Sequence, residues 1–599
     1  MHHRYRPENP LIVQSDRSVL LEVDNPLYAE ARDALARFAD LEKSPEYVHT
    51  YRISPLSLWN AAAAGLTAEA ILSDLERFSK YPLPENIKVD IRTAISRYGR
   101  VKLTLVEERM LVTTDEPALA EELARHRLFA PLIKQRLSAT DFEIDPAQRG
   151  HVKRALVQIG YPAEDLAGYV TGAPLSFALR ETTRDGQAFA LRRYQADAVE
   201  VYWAQGSAAG GSGVIVLPCG AGKTIVGIAA MHKAQCATLI LTPNTVAVRQ
   251  WIRELLDKTT LTEDQIGEYS GLKKDVRPVT ICTYQVLTYH PRKQGTTSAQ
   301  SSRRRFPQLS EYPHMALFNS MDWGLIIYDE VHLLPAPVFR VTAEIQARRR
   351  LGLTATLVRE DGLESDVFSL IGPKRYDVPW KDLERQGWIA TVECHEVRVA
   401  LAEEDRMEYA VASQEQKYHF ASTNPRKLEI VSMLAAKHKN DDVLIIGQYI
   451  SQLEEIARRL DAPLITGETP VRQREKLFGQ FRAGEIHRLV LSKVGNFSID
   501  LPDANVLIQV SGTFGSRQEE AQRLGRILRP KQNGLLAHFY TIVTRDTIDQ
   551  EYAAKRQLFL TEQGYHYTIL YEEEVPSFTP ALIAVNPNSA PRRIGGLLN

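Results

Sequence analysis

Val214-Ile215-Val216-Leu217-Pro218-Cys219-Gly220-Ala221-Gly222-Lys223-Thr224 decides how this chain is read, because four apolar residues run into a glycine-rich loop and a helical pattern opens at Ile225. A strand that feeds a helix through such a loop is a layout that binds phosphate. Gly220 and Gly222, with Ala221 between them, let the backbone turn tightly and aim its N–H groups at phosphate oxygens. Lys223 reaches the β- and γ-phosphates, Thr224 offers a hydroxyl to Mg²⁺, and the helix N-terminus adds partial positive charge. Leu217 stands where the strict pattern has its first glycine, so the loop is a variant with glycines only at 220 and 222.

An ATP-hydrolysing site also needs carboxylates, and they follow in order. Leu325-Ile326-Ile327-Tyr328 reads as a buried strand ending in Asp329-Glu330-Val331-His332. Asp329 suits the metal side and Glu330 the attacking water. In isolation an acidic pair after an apolar run is as readily a solvated loop edge. Downstream of a phosphate loop the catalytic reading prevails.

With 599 residues the chain is too long for one core, and 44% hydrophobic with 25% charged residues are values of a chain that folds over most of its length. The net charge of −1 gives no electrostatic sign of nucleic acid, so any such surface must be a local groove. Cys219, Cys236, Cys282 and Cys394 never form a Cys-x-x-Cys pair, which argues against a zinc ribbon, an iron–sulfur cluster or a disulfide framework and for core thiols in a reducing compartment. The start lacks an apolar signal segment and no run approaches membrane-spanning length, so a cytoplasmic protein without membrane association is expected.

The expected class is α/β, with two parallel-sheet domains preceded by a mainly helical N-terminal domain and a small mixed α/β domain. Ile71, Leu72, Leu75 and Phe78 recur at helical spacing within residues 1–100. Residues 101–185 have a mixed texture, with a helix start at Asp145-Pro146, a stop at Gly160, and strand-like alternation of Leu175, Phe177 and Leu179. Alternating strands and helices then fill two blocks, 186–390 and 391–572, before a poorly ordered tail at 573–599. The basic insertion between Pro291 and Phe306 reads as a solvated loop or as a nucleic-acid contact, its composition favouring the loop. Trp203, Trp251, Trp323 and Trp388 could stack on bases but read more readily as core.

In the second block, Gln522-Arg523-Leu524-Gly525-Arg526-Ile527-Leu528-Arg529 places Arg526 and Arg529 three apart, on one face of a helix. They read either as an exposed basic face or as two guanidiniums that neutralise charge developing on a γ-phosphate. Together with Leu191-Arg192-Arg193-Tyr194-Gln195, the 220–224 loop, Asp329-Glu330-Val331-His332 and Leu353-Thr354-Ala355-Thr356, this run resembles, in order, the motifs of superfamily 2 helicases. The stretch 353–361, with Ser492-Lys493-Val494-Gly495 and Asp500-Leu501-Pro502, narrows the resemblance to the XPB family of repair and transcription helicases. The likeness is close over 186–570 and looser before it.

The resemblance implies a 3′–5′ DNA helicase or translocase of DNA repair, using ATP and Mg²⁺ on forked or 3′-tailed duplex, with a nuclease or another repair protein as partner. It also implies that the two parallel-sheet blocks are RecA-like motor domains, with a damage-recognition-like domain before them and a thumb insertion, for which only a short segment near 403–422 is available. Arg192 and Gln195 join the nucleotide site, Gln195 at the adenine edge. Asp500 takes the ribose and Ser492 a DNA phosphate, each equally readable as a plain turn residue. Thr354 and Thr356 couple ATP state to DNA grip, or simply pack a strand end. Arg359-Glu360-Asp361 is a salt-bridged loop or touches the DNA fork, and the resemblance favours the fork. Alternatives of output are a double-strand translocase that does not separate strands and an ATP-switched DNA-binding scaffold.

Overall fold

The computed structural model describes residues 5–45, 47–218, 220–290, 312–346, 348–356, 363–378, 380–492, 504–512, 520, 523–525, 527 and 536–581. Cys219, the 291–306 insertion, Arg359, Glu360, Asp361, Asp500, Arg526 and Arg529 lie outside the described residues. The chain divides into two compact units, one formed mainly by residues up to 379 and the other mainly by residues from 380 onward. Among the described residues no helix is long and apolar enough to cross a membrane.

In the first unit, the helices Tyr28–Leu35, Pro55–Ala63, Ala68–Phe78 and Glu85–Arg97 supply most of the regular structure of the N-terminal region. They pack on a four-stranded antiparallel sheet that the helical spacing did not announce, in the order Leu11–Val13, Ser18–Glu22, Val48–Arg52, Asp40–Lys43. Ile71, Leu72, Leu75 and Phe78 do face the core, against Leu21 and Tyr51. A five-stranded sheet follows, in the order Ile133–Arg136, Asp141–Ile144, Arg109–Thr114, Val101–Val106, Glu164–Asp165. Asp145 Oδ1 accepts from the Ala147 N–H at the turn that opens Arg149–Ile159, and Gly160, at φ +96°, ends that helix.

The alternation of Leu175, Phe177 and Leu179 does not make a strand. Only isolated bridges occur, Pro174 to Cys236 and Leu179 to Thr259. Leu175 and Phe177 are buried along the flank of the next domain, so the alternation reflects burial without a paired neighbour. Helix Arg149–Ile159 lies so close to Ala336–Glu344 that a Cβ at Gly150 would fall 2.3 Å from the Ala343 carbonyl oxygen. Arg149 and Lys153 pair with Asp165 inside the small domain, while Arg154 pairs with Asp366 at 2.9 Å and Lys153 Nζ donates to Gln346 Oε1 at 3.0 Å, and these last two contacts join it to the sheet domain beside it.

That sheet has seven parallel strands in the order Ile266–Tyr269, Val279–Thr283, Thr238–Thr242, Leu325–Asp329, Arg349–Thr354, Ser212–Val216, Lys374–Asp377. Its central strands are buried on both faces, as near-continuous apolar runs require. Cys236, Cys282 and Cys394 are free and buried, and burial raises all three thiols, which agrees with core thiols. Trp251 and Trp323 are core, and the Arg349 guanidinium lies over Trp203 with its carbon 4.5 Å from the ring centroid.

The second unit holds another seven-stranded parallel sheet, in the order Leu464–Ile465, Arg488–Ser492, Val443–Gly447, Val506–Gln509, Ala537–Thr544, Val392–Val399, Tyr567–Tyr571. The helices Glu403–Val411 and Gln414–Ser422 occupy the segment assigned to the short insertion, and the first of them buries no residue. A single buried lysine ties this sheet together. Lys427 Nζ donates to the Val510 carbonyl at 3.0 Å, the Ile542 carbonyl at 3.0 Å and Asp549 Oδ2 at 2.7 Å, so all three of its protons are used. Both side chains of the ion pair are at most 1% exposed. Lys427→Met leaves the buried Asp549 carboxylate with the Arg556 guanidinium, 3.8 Å from its Oδ1, as its remaining cation and is expected to cost about 3 kcal/mol. The check is the urea midpoint of the second unit, which should fall sharply.

Candidate nucleotide-binding active site

The sheet order brings three strand ends side by side. Ser212–Val216 pairs with Arg349–Thr354, which pairs with Leu325–Asp329, so the phosphate loop, Thr354 and Asp329 emerge at one carboxyl edge, where open α/β sheets bind ligands. The Leu217 N–H donates to the Thr354 carbonyl at 3.0 Å and continues that pairing into the loop. Gly222 caps the helix Lys223–Ala234 at φ +80°, and a Cβ there would meet Gln195 Nε2 at 2.6 Å. This is a glycine that conformation and space both demand. Thr224 lies in the first turn of that helix.

Two side chains hold the loop from behind. Tyr194 Oη donates to the Ala221 carbonyl at 2.7 Å, and Gln195 Nε2 donates to the same oxygen at 2.9 Å. Arg192 Nη1 donates to Tyr194 Oη at 3.0 Å, and the Arg192 N–H donates to Gln195 Oε1 at 3.0 Å. The structure thus places Gln195 as a buried brace of the phosphate loop, its amide engaged by the protein itself. Nothing along the chain near Tyr194 marks its role, which becomes visible only when the loop carbonyl comes into reach.

Lys223 Nζ lies 2.9 Å from Glu330 Oε1. Glu330 is held at φ +49° and ψ 56°, a left-handed conformation that strains a residue with a Cβ and that clusters at functional sites. Asp329 Oδ2 accepts from Trp251 Nε1 at 2.9 Å, Asp329 Oδ1 accepts from the Glu330 N–H at 3.1 Å, and Tyr284 Oη donates to the Asp329 carbonyl at 2.9 Å. Burial first, and then the charge of Glu330, push the Asp329 carboxyl up to about 6, against the opposing pull of Trp251 and Lys223. Two carboxylates facing one lysine suit a site that also receives a divalent cation, and the oxygen donors of Asp329 and Thr224 fit Mg²⁺.

Trp251 reaches Asp329 past the helix Lys223–Ala234 because position 227 is glycine. A Cβ at Gly227 would fall 2.4 Å from Trp251 Cη2. Thr354 and Thr356 are both buried and linked through the strand end, where Thr354 Oγ1 donates to the Thr356 carbonyl at 2.5 Å. That uses the hydroxyl proton, so His332 Nδ1, 2.6 Å away, must carry its own proton and donate to Thr354 Oγ1. The same Nδ1 lies 3.5 Å from Glu330 Oε2. His332 therefore sits between the carboxylate and the threonine motif, hydrogen-bonded to the threonine and 3.5 Å from the carboxylate, a placement that its position after Glu330 did not reveal. Ser492 ends a strand at the carboxyl edge of the second sheet and is buried.

Residues 383–587 match the ERCC3/RAD25/XPB C-terminal helicase model, 188–359 the type III restriction enzyme res subunit, and 11–138 a helicase conserved C-terminal domain. The DNA 3′-5′ helicase XPB of Kineococcus radiotolerans is 55% identical over 581 residues, which cover 97% of this chain and 100% of that protein. The protein of the same name from Mycobacterium tuberculosis is 55% identical, covering 94% and 98%. The general transcription and DNA repair factor IIH helicase/translocase subunit XPB of Antonospora locustae is 35% identical, covering 94% and 83%.

Gly227→Ala should push Trp251 off Asp329 and lower turnover on the order of tenfold to a hundredfold, as a displaced catalytic group does. Trp251→Phe, which keeps the ring and loses only the donor, should show a smaller loss in the same steady-state ATPase assay. The raised Asp329 carboxyl also sets a pH dependence. A carboxyl whose folded value lies above its unfolded value of 3.8 gives stability that is present below that value and lost as pH rises through about 6. Without nucleotide or metal, Asp329→Asn should therefore melt higher than the parent chain at neutral pH, with the gain shrinking as pH falls through that window.

Proposed function

This chain belongs to the XPB family of superfamily 2 helicases, and on that premise we propose that it is an ATP-driven 3′–5′ DNA helicase of DNA repair, acting on forked or 3′-tailed duplex in the cytoplasm, with a nuclease or another repair protein as partner. The observation that carries the reading is the convergence of the phosphate loop, the Asp329-Glu330 pair and the Thr354 strand end at one sheet edge. The domain partition follows the same reading: 1–100 as the family's N-terminal domain, 101–185 as the damage-recognition-like domain, and 186–390 and 391–572 as the motor domains.

Gly220, Ala221 and Gly222 present backbone N–H groups to the phosphates, and Lys223 exchanges Glu330 for phosphate oxygens. Thr224 and Asp329 would hold Mg²⁺, which would supply positive charge to the phosphates. Glu330, released from Lys223, orients the attacking water. Gln195 and Arg192 flank the adenine side, and Asp500 takes the ribose. Arg526 and Arg529 stabilise charge at the γ-phosphate. Ser492 contacts a DNA phosphate, while Arg359, Glu360 and Asp361 meet the fork. The path from Glu330 through His332 to Thr354 and Thr356 carries nucleotide state toward the DNA-facing triplet.

Strand displacement on 3′-tailed, 5′-tailed and blunt DNA, run beside DNA-stimulated ATPase, tests the function. Unwinding of the 3′-tailed duplex alone is expected. Triplex displacement without unwinding would mark a pure translocase, and intact ATPase with neither output a switched scaffold. Glu330→Gln should retain nucleotide yet stall turnover. His332→Ala should keep basal ATPase and lose DNA stimulation by about tenfold, the size of a coupling free energy of roughly 1.4 kcal/mol. Unchanged stimulation would remove His332 from the coupling path.

A further inference from the structure

The second unit carries a cluster of ligating side chains that ATP hydrolysis does not use. Strand pairing builds it. Val392–Val399 runs parallel to Ala537–Thr544 with Glu393 opposite His538 and His395 opposite Tyr540. Side chains alternate along a strand, so these four share one face while Cys394 faces the other way. His395 and His538 are 4% and 3% exposed. Glu393 Oε2 lies 3.6 Å from His395 Nε2 and 3.6 Å from His538 Nδ1. One ligating atom from each of the three residues lies within 4.8 Å of the others. The Glu393 side chain is 37% exposed, which leaves an approach from solvent.

Buried polar atoms are ordinarily hydrogen-bonded. Here His395 Nδ1, His395 Nε2 and His538 Nδ1 find no hydrogen-bond partner among the described residues. His538 Nε2, by contrast, is 2.9 Å from the Ala581 carbonyl oxygen, where it can only donate. The proton is therefore on Nε2, and the Nδ1 lone pair is directed to the Glu393 side. A histidine that donates its second N–H to a backbone carbonyl while presenting a bare nitrogen is the outer arrangement of metal-binding imidazoles. Oxygen and nitrogen ligands bound to a tetrahedral divalent ion at ~2.0–2.1 Å lie about 3.3 Å apart, so the two 3.6 Å spacings from Glu393 need little contraction, and the edge between the histidines, within 4.8 Å, is the one left to close.

We propose that Glu393, His395 and His538 form a three-ligand site for a zinc-class divalent transition metal ion, with its fourth position open toward solvent. His438 is not a ligand, because its Nδ1 is taken by Asp441 at 2.8 Å and its Nε2 by Tyr540 Oη at 2.9 Å. The ion fastens the segment around Phe578 and Ala581 to the sheet. Phe578 packs its ring 5.1 Å from that of His395, and Ala581 holds His538, so a bound metal stiffens both contacts.

The test uses the full-length chain with His2 and His3 replaced by alanine, stripped with chelator and titrated with Co²⁺ and then Zn²⁺. One Co²⁺ per chain is expected, with the ligand-field absorption of a tetrahedral site that Zn²⁺ displaces, and Zn²⁺ should raise the thermal midpoint. Glu393→Gln, at a partly exposed position that folding tolerates, should weaken binding by about tenfold or more, and His395→Gln should remove the absorption. No stoichiometric metal in the parent chain, or equal affinity and equal Zn²⁺-induced stabilisation in Glu393→Gln, would overturn the site and leave the imidazoles as packed aromatic rings.

Discussion

Lys223 faces Glu330 across 2.9 Å at the carboxyl edge of the first parallel sheet, and the parts of the candidate site are arranged around that ion pair. The two side chains are 12% and 16% exposed, so their attraction is only weakly screened. The pair keeps the lysine extended beside the phosphate loop and keeps the carboxylate from solvent. On the proposed function the two groups must separate before the lysine serves phosphate and the carboxylate orients water. The left-handed backbone of Glu330 fits this reading, since strain of that kind persists only where the surrounding structure fixes it.

The charge at this edge is unbalanced by design of the neighbours. Asp329 and Glu330 are adjacent, one lysine answers them, and burial raises the Asp329 carboxyl further. Trp251 offsets part of that cost through a hydrogen bond that exists only because residue 227 has no side chain. From the other side, His332 joins Glu330 to Thr354, and Thr354 to the Thr356 carbonyl. On the proposed function, a change of partner at Glu330 would be felt at this strand end through the neighbouring His332. What would carry that coupling is an electrostatic contact from Glu330 to His332 followed by two hydrogen bonds, from His332 to Thr354 and from Thr354 to the Thr356 carbonyl.

Contiguous signals were legible in the sequence. The phosphate loop, the Asp-Glu pair and the apolar runs of the two parallel sheets depend on neighbours along the chain, and each was visible as spacing. Contacts made across the fold were not. Trp251 reads as an ordinary core tryptophan, Gly227 as a helix glycine, and Lys427 as a surface charge until their partners are known. The N-terminal sheet escaped because its strands are three to five residues long and Asp40–Lys43 buries only Leu41, whereas the helices beside it show their spacing plainly. The alternation at Leu175, Phe177 and Leu179 misled for the opposite reason, being a real burial pattern with no strand to pair with.

The account rests on the transfer of Lys223 from Glu330 to the nucleotide, and a double-mutant cycle on affinity tests it most directly. The dissociation constant of a non-hydrolysable ATP analogue is measured for the parent chain, Glu330→Gln, Lys223→Ala and the double variant. If nucleotide must break the ion pair, Glu330→Gln binds more tightly than the parent, and that gain disappears when Lys223 is already alanine. The same gain in both backgrounds would mean simple relief of repulsion between Glu330 and the phosphates. No gain in either would contradict the exchange.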